Sequence, residues 1–335
     1  MDAPSVSAAR HLRDVLSLAI AHDPARGAVV VYDARSELSR IVAEAYRVCL
    51  PGALHIDFDA VTPEAVQAAF APLGPGDLVV LVQSTSFRLE AFRIRVELFK
   101  RGLAVVEHPH LGRMLPAEYG AYLDSLAYDP AYYRGVGAKL KARIDAAAGA
   151  ILDTGGAQLV YAGPFEAAKL NVGDYTGMTN VGGQFPIGEV FTEPQDLTRV
   201  SGRVRIFVFG DTEFCVNVPE VPITLVVEGG QVVAAEGSTP AFDAVLAQIR
   251  AEEPVWLREL GFGMNRAFTR ERTVTDIGTY ERMCGVHLSL GAKHNIYNKP
   301  GMKRGTTRFH VDVFAATERV LLDGEVVYRD GAWCV

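Results

Sequence analysis

Asp77-Leu78-Val79-Val80-Leu81-Val82 follows a Gly74-Pro75-Gly76 turn and is apolar from its second residue to its last. A continuous, β-branched run of this length is the pattern of a parallel strand covered on both faces. The flanking sequence fits that reading. Upstream, Ala28-Val29-Val30-Val31-Tyr32 is a second such run, and it leads into 36–45, where apolar residues recur at helical spacing. Leu54-His55-Ile56-Asp57-Phe58 alternates like a strand. Thr62-Pro63-Glu64 opens a helix, with threonine as cap and proline at the first helical position. Downstream, 92–101 reads as helix and Ala104-Val105-Val106-Glu107 as strand. Strand and helix alternating in this way predict an open, mostly parallel α/β domain over residues 1–150. Neither G-x-G-x-x-G nor G-x-x-x-x-G-K-[ST] follows any of these strands, so a nucleotide-binding Rossmann reading has little support.

Helical segments carry the chain to about residue 148, and Gly155-Gly156 marks a boundary. Beyond it the texture changes to short strands and Gly/Pro turns, as in Val204-Arg205-Ile206-Phe207-Val208-Phe209. Ile223–Glu228 turns at Gly229-Gly230 into Gln231-Val232-Val233, and 320–328 turns at Asp323-Gly324; both are hairpin signatures. One helix, 241–252, interrupts them. Residues 151–335 therefore read as an α+β domain.

Composition bounds the function. The 335 residues are 49% hydrophobic and 22% charged, with no run apolar enough to span a bilayer. Met1-Asp2-Ala3-Pro4 lacks the basic, then apolar, pattern of a secretory signal. A net charge of -7 argues against a general nucleic-acid binder. Cys49, Cys215, Cys284 and Cys334 are widely spaced, which fits a reduced, cytoplasmic protein and points any metal toward nitrogen and oxygen ligands.

The second domain gathers such ligands. His310-Val311-Asp312 lies in a strand pattern, and residues two apart on a strand share a face, so imidazole and carboxylate can address one ion. The bland alternative is a solvated pair. Glu189 sits in Pro186-Ile187-Gly188-Glu189-Val190-Phe191-Thr192, where a carboxylate among apolar residues needs a partner; the alternative is an edge glutamate facing water. Glu259 precedes Leu260-Gly261-Phe262-Gly263-Met264-Asn265, whose glycines allow close backbone approach; the alternative is a helix-terminal glutamate paired with Arg258 or Arg266. His287 lies in Cys284-Gly285-Val286-His287-Leu288-Ser289-Leu290-Gly291, a buried-strand pattern equally suited to a hydrogen-bonded core histidine. His108 and His110 read as loop residues. Carboxylate and imidazole together suit hard or borderline divalent ions, and five such groups exceed what one ion usually needs.

Taken together, the stretch Asn180-Val181-Gly182-Gly183-Gln184-Phe185 running into Glu189, the Glu259 and His287 contexts, and His310-x-Asp312 before the closing Asp323-Gly324-Glu325 hairpin resemble the thermophilic aminopeptidase T family. The resemblance runs from Asn180 to the C-terminus; the first half matches only in fold pattern. It implies a homodimeric leucyl-type metallo-aminopeptidase. Glu189, Glu259, His287, His310 and Asp312 would hold two divalent ions (zinc, manganese or cobalt), one carboxylate bridging. Substrates would be peptides or small peptide-like amides, cleaved at the N-terminal residue.

The chain departs from the family at the helpers. A glutamate base stands just before the family's histidine, but the stretch here is Tyr280-Glu281-Arg282-Met283. Either Glu281 relays the proton from a shifted register or Arg282 has replaced the base. His294 stands where the family has a tyrosine that supports the transition state.

Two further readings follow. Some relatives look like 2,5-dihydroxypyridine dioxygenases, which hold one iron; His287 or His294 with His310 and Asp312 would make that triad, leaving Glu189 and Glu259 without an obvious use. In the other, the chain is a catalytically altered peptide-binding or partner subunit in a peptide-maturation pathway. There the Arg282 guanidinium takes an ion's place by pairing with Glu189 or Glu259.

Overall fold

The run 78–82 is the middle strand of a five-stranded parallel sheet, and every one of its residues is buried. The structure is a computed structural model that describes residues 3–335 apart from 88, 90–93, 292–296 and 298–308. The chain divides into two units, Met1–Arg134 with Gly173–Ile187 and Gly135–Val172 with Gly188–Val335.

Unit 1 contains β1 (Ala28–Tyr32), β2 (Leu54–Asp57), β3 (Leu78–Val82), β4 (Ala104–His108) and the short β8 (Gly182–Gln184). Their order is β2-β1-β3-β4-β8, all pairs parallel. The helices are α1 (Ala3–Asp14), α2 (Glu37–Cys49), α3 (Pro63–Phe70), α4 (Ile94–Lys100) and α5 (Tyr119–Ser125). Local chemistry sets the starts of two of them. The Ser36 hydroxyl accepts from the Ser39 N–H ahead of α2, and Thr62 accepts from Ala65 ahead of α3, with Pro63 in the first turn. Val29, Val31, Val79, Leu81 and Val105 bury one face of the sheet against Val66, Phe70, Ile94 and Leu98.

Two features of this unit were not expected. The strand β8 comes from a glycine-rich stretch with no hydrophobic pattern; Gly182 has φ 97 and lies so close to β4 that a Cβ there would come within 1.9 Å of the Val105 carbonyl oxygen. His108 is not a loop residue. It ends β4 wholly buried, with its ring nitrogens 2.8 Å from the hydroxyls of Tyr46 and Tyr122. Burial pushes its pKa down to about 3, so it is a neutral core histidine. His110 does lie in the loop beyond β4.

After α6 (Pro130–Ala146) the chain builds a 14-stranded antiparallel sheet. Its path runs β19 (Ala332–Trp333), β18 (Glu325–Arg329), β17 (Arg319–Leu322), β5 (Ala150–Asp153), β6 (Gln158–Tyr161), β10 (Val200–Gly210), β16 (His310–Ala315), β15 (Gly285–Gly291), β14 (Leu257–Gly263), β9 (Glu189–Thr192) and β7 (Lys169–Asn171). Two strands, β11 (Val216–Asn217) and β12 (Ile223–Glu228), pair with β10, and β13 (Gln231–Glu236) pairs with β12. The turns at Gly229-Gly230 and Asp323-Gly324 are hairpins as read from the sequence, and Gly155-Gly156 lies between β5 and β6. Helix α7 (Pro240–Arg250) is the expected one; the one-turn α8 (Ile277–Tyr280) is additional.

Among the described residues, no helix is long and apolar enough to cross a membrane, and no cysteine is in a disulfide. The core of unit 1 rests on the doubly covered strand. Leu81→Ala is therefore expected to cost about 2–5 kcal/mol, read from the denaturant midpoint of unfolding.

Candidate metal centre

Four neighbouring strands of unit 2 carry the candidate ligands, Glu189 on β9, Glu259 on β14, His287 on β15, and His310 and Asp312 on β16. Their registers place Gly263 opposite Glu189, Gly261 opposite His287, Ser289 opposite Asp312 and Gly291 opposite His310. Directly opposed residues of an antiparallel sheet point to the same face, as do residues two apart. All five side chains therefore belong to one face. Glu189, Glu259, His287 and Asp312 are buried, and the His310 side chain is about a third exposed.

Two local devices shape this face. A Cβ on Gly261 would come within 2.1 Å of His287 Nε2, so the missing side chain is the space that the imidazole occupies. Between Leu257 and Leu260 the β14–β15 register slips by one residue, a bulge that includes Glu259. Bulges re-aim side chains, and the Ser289 hydroxyl takes up the displaced backbone by accepting from the Glu259 N–H at 3.1 Å.

The result is convergence. The His287 Nε2 atom lies 3.2 Å from Glu189 Oε1 and 3.5 Å from Glu259 Oε1. One ligand atom from each of these three residues falls within 4.8 Å of the others. Yet neither ring nitrogen of His287 completes an aligned hydrogen bond, and Asp312 Oδ1 lacks one too, although His310 Nε2 is 3.2 Å away. Buried polar atoms are seldom left in this way. Ligand atoms that crowd one point in ion-pair range without aligned hydrogen bonds fit a divalent cation, and the mix of carboxylate and imidazole suits it chemically.

Arg282 and Glu281 complete the cluster. The Arg282 guanidinium Nη1 lies 2.9 Å from Glu189 Oε2 and 2.6 Å from Glu281 Oε2. Both residues of the uncertain Tyr280-Glu281-Arg282-Met283 stretch therefore face the site, joined as a pair. Burial, then the negative charge of Asp312, pushes Glu281 up to about 8, so it carries a proton near neutral pH. Burial opposes ionisation of Glu189 as well, but Arg282 and then His287 outweigh it and hold its pKa below the usual range. Burial disfavours the charged imidazoles, but Glu189 and Glu259 raise His287 well above its ordinary value, and Asp312 raises His310 to about 10. Asp312 falls to about 2 because His310 overcomes its burial. With Glu281 neutral, three carboxylates balance one guanidinium and two imidazolium protons. One divalent cation carries the charge of those two protons.

The structure thus brings together Glu189, Glu259, His287, His310, Asp312 and Glu281. His294 lies outside the described residues. Glu259 is in mid-strand rather than at a helix end, and Glu189 is buried rather than at a wet edge. Sequence reading raised Arg282 but could not place it; its signal was a guanidinium five residues before His287.

No family model matches the chain, and no curated protein matches it in sequence. Solved structures do match. The 2,5-dihydroxypyridine dioxygenase of Pseudomonas putida KT2440 superposes with a TM-score of 0.64 at 15% identity, covering 99% of this chain and 98% of that one. Wild-type AmpT from Thermus thermophilus gives 0.60 at 15% identity, covering 98% and 99%. The chain shares the whole fold of both.

Gly261→Ala is expected to displace His287 and to weaken metal uptake by roughly tenfold or more, on the scale of losing one oriented ligand, as titration with zinc would record. Protonation supplies the second prediction. An imidazole whose pKa rises on folding stabilises the fold below its unfolded value of about 6.5. That contribution is lost as pH climbs through the folded value, about 10 for His310. Thermal melts of chelator-treated protein should therefore fall on the alkaline side, and a divalent ion should remove the fall. Calorimetry in buffers of different ionisation enthalpy should show roughly two protons released per ion near neutral pH.

Proposed function

We propose that unit 2 is a metal-dependent hydrolase that cleaves the N-terminal amide of a peptide or a small peptide-like substrate, with one divalent ion at Glu189, Glu259 and His287. The observation that carries this reading is the His287 imidazole, set between two buried carboxylates with no aligned hydrogen bond of its own. The fold shared with AmpT agrees with it. Zinc, manganese or cobalt would suit the donors.

A bound ion supplies Lewis acidity and a hydroxide at neutral pH. The chain's own groups do the rest. Glu281, its Oε2 held by Arg282 and its proton retained near neutral pH, gives that proton to the leaving amine and, once ionised, takes one back from water. Arg282 orients Glu189 and Glu281 and places a fixed positive charge beside the reacting centre. Asp312 and Glu259 offer carboxylates to the substrate's free amine. Oxyanion support from His294, a homodimer, a partner protein and a cytoplasmic location belong to the same proposal and rest on the sequence.

One observation favours a second reading. Arg282 against Glu189 supplies positive charge where a second ion would sit, which suits a mononuclear centre, and the dioxygenase shares this fold. His287, His310 and Asp312 would then hold iron for ring opening by oxygen.

Metal analysis of protein purified without chelators, and again after reconstitution, separates these. About one zinc, manganese or cobalt ion per chain, lost in Glu189→Ala, with release of amino acids from aminoacyl amides, is the expected result. One iron with oxygen uptake moves the assignment to the dioxygenase. No metal leaves a peptide-binding partner role. If Arg282 takes an ion's place, Arg282→Glu raises the count toward about two ions.

A further inference from the structure

The sheet of unit 1 has a cleft that the metal centre does not use. Strand order β2-β1-β3-β4 sends the chain leaving β1 to one side and the chain leaving β3 to the other. The loops part at that switch point, and the crevice beyond the carboxyl ends of the strands is where open α/β sheets hold ligands. Here it is a cleft of about 660 Å3, lined by Arg35 and Ser36 from the loop after β1, Ser84 and Ser86 from the loop after β3, and His110 and Arg113 from the loop after β4.

Its chemistry is the reverse of the centre in unit 2. The lining offers two guanidiniums, an imidazole and several hydroxyls, and among the described residues none that lines it is a carboxylate. Two acids stand behind the lining: Asp59 pairs with Arg35, and Asp33 is buried. Asp33 accepts from the backbone N–H groups of Ser84 at 2.7 Å and Arg35 at 3.1 Å and from the Ser39 hydroxyl at 3.4 Å. That carboxylate ties the β1 and β3 loops together. The Ser84 hydroxyl donates to Ser36 Oγ at 2.8 Å, Ser86 Oγ lies 2.9 Å from His110 Nε2, and the Gly112 N–H donates to the Ser84 carbonyl at 3.0 Å. All three loops are thereby cross-linked before any ligand arrives. Arg35 is oriented by Asp59, which its Nε reaches at 2.9 Å while the side chain stays largely exposed. Forked, permanently charged donors beside hydroxyls match a compact tetrahedral dianion.

We propose that this cleft binds a phosphate group, either the free ion or a phosphomonoester, through Arg35, Arg113 and the hydroxyls of Ser36 and Ser86. The chain lacks a glycine-rich phosphate loop, and the serine-rich turn after β3 stands in its place.

The test titrates the full chain by calorimetry with inorganic phosphate and, separately, with a nucleoside monophosphate, at fixed low ionic strength. Saturable binding is expected. It should weaken roughly tenfold or more in Arg113→Gln and in Arg35→Gln, the scale of one charge-assisted contact. Arg203→Gln, on an exposed pair in unit 2, should leave it unchanged. Arg113→Lys keeps the charge without the fork and should fall between, and thermal melts show which variants are folded. Tighter binding of the nucleotide assigns the cleft to a phosphomonoester, and equal binding assigns it to the ion. Absence of saturable binding by both probes, or binding that survives both arginine substitutions in folded protein, overturns the proposal.

Discussion

Glu189, Glu259 and Asp312 are carboxylates taken out of water on one face of a β-sheet, and everything else at the centre of unit 2 answers to that. A buried carboxylate with no positive partner costs several kcal/mol. Arg282 answers Glu189 directly, His310 answers Asp312, and His287 stands between Glu189 and Glu259. The balance is close enough that Glu281, the fourth carboxyl, keeps its proton near neutral pH. Removing any one partner would strand a charge. The cluster therefore acts as a unit, and its proton and metal occupancies are coupled.

The sheet accommodates this cluster by giving up side chains and regularity beside it. Gly261 leaves the volume into which His287 folds, and at Gly263 a Cβ would come within 1.9 Å of the Met283 carbonyl oxygen. The bulge at Glu259 breaks the ladder between β14 and β15, and the Ser289 hydroxyl satisfies the displaced N–H. Each substitution of a small residue or a bulge for ideal pairing weakens a strand locally. That cost is tolerable because β14 and β15 are interior strands, buried along their whole length and paired on both sides.

The two units show opposite uses of polar groups. In unit 1 the buried acid Asp33 is saturated by three donors and organises loops around a cation-rich cleft. His108 is likewise saturated, by two tyrosine hydroxyls, and so is inert despite its burial. In unit 2 the imidazole of His287 is equally buried but lacks aligned partners. Burial alone does not separate a core histidine from a ligand. What separates them is whether the neighbours satisfy the ring.

Much of the fold was legible because its signals are local. The apolar run 78–82, the caps at Ser36 and Thr62, and the glycine turns at 229–230 and 323–324 each depend on a few adjacent residues, and each forms as read. The sequence by itself also named five candidate ligands from their short contexts, His310 and Asp312 by strand spacing and the set as a whole by resemblance. What only the tertiary structure decided was long-range. It placed Glu189, 70 residues before Glu259, on a strand beside it, set the one-residue slip beside Glu259, drew the patternless β8 into a sheet more than 70 residues upstream, and joined Arg282 to both Glu189 and Glu281. Pairing register and charge compensation are properties of neighbours in space, and a one-residue slip in any of these strands would have sent the same side chains to the opposite face.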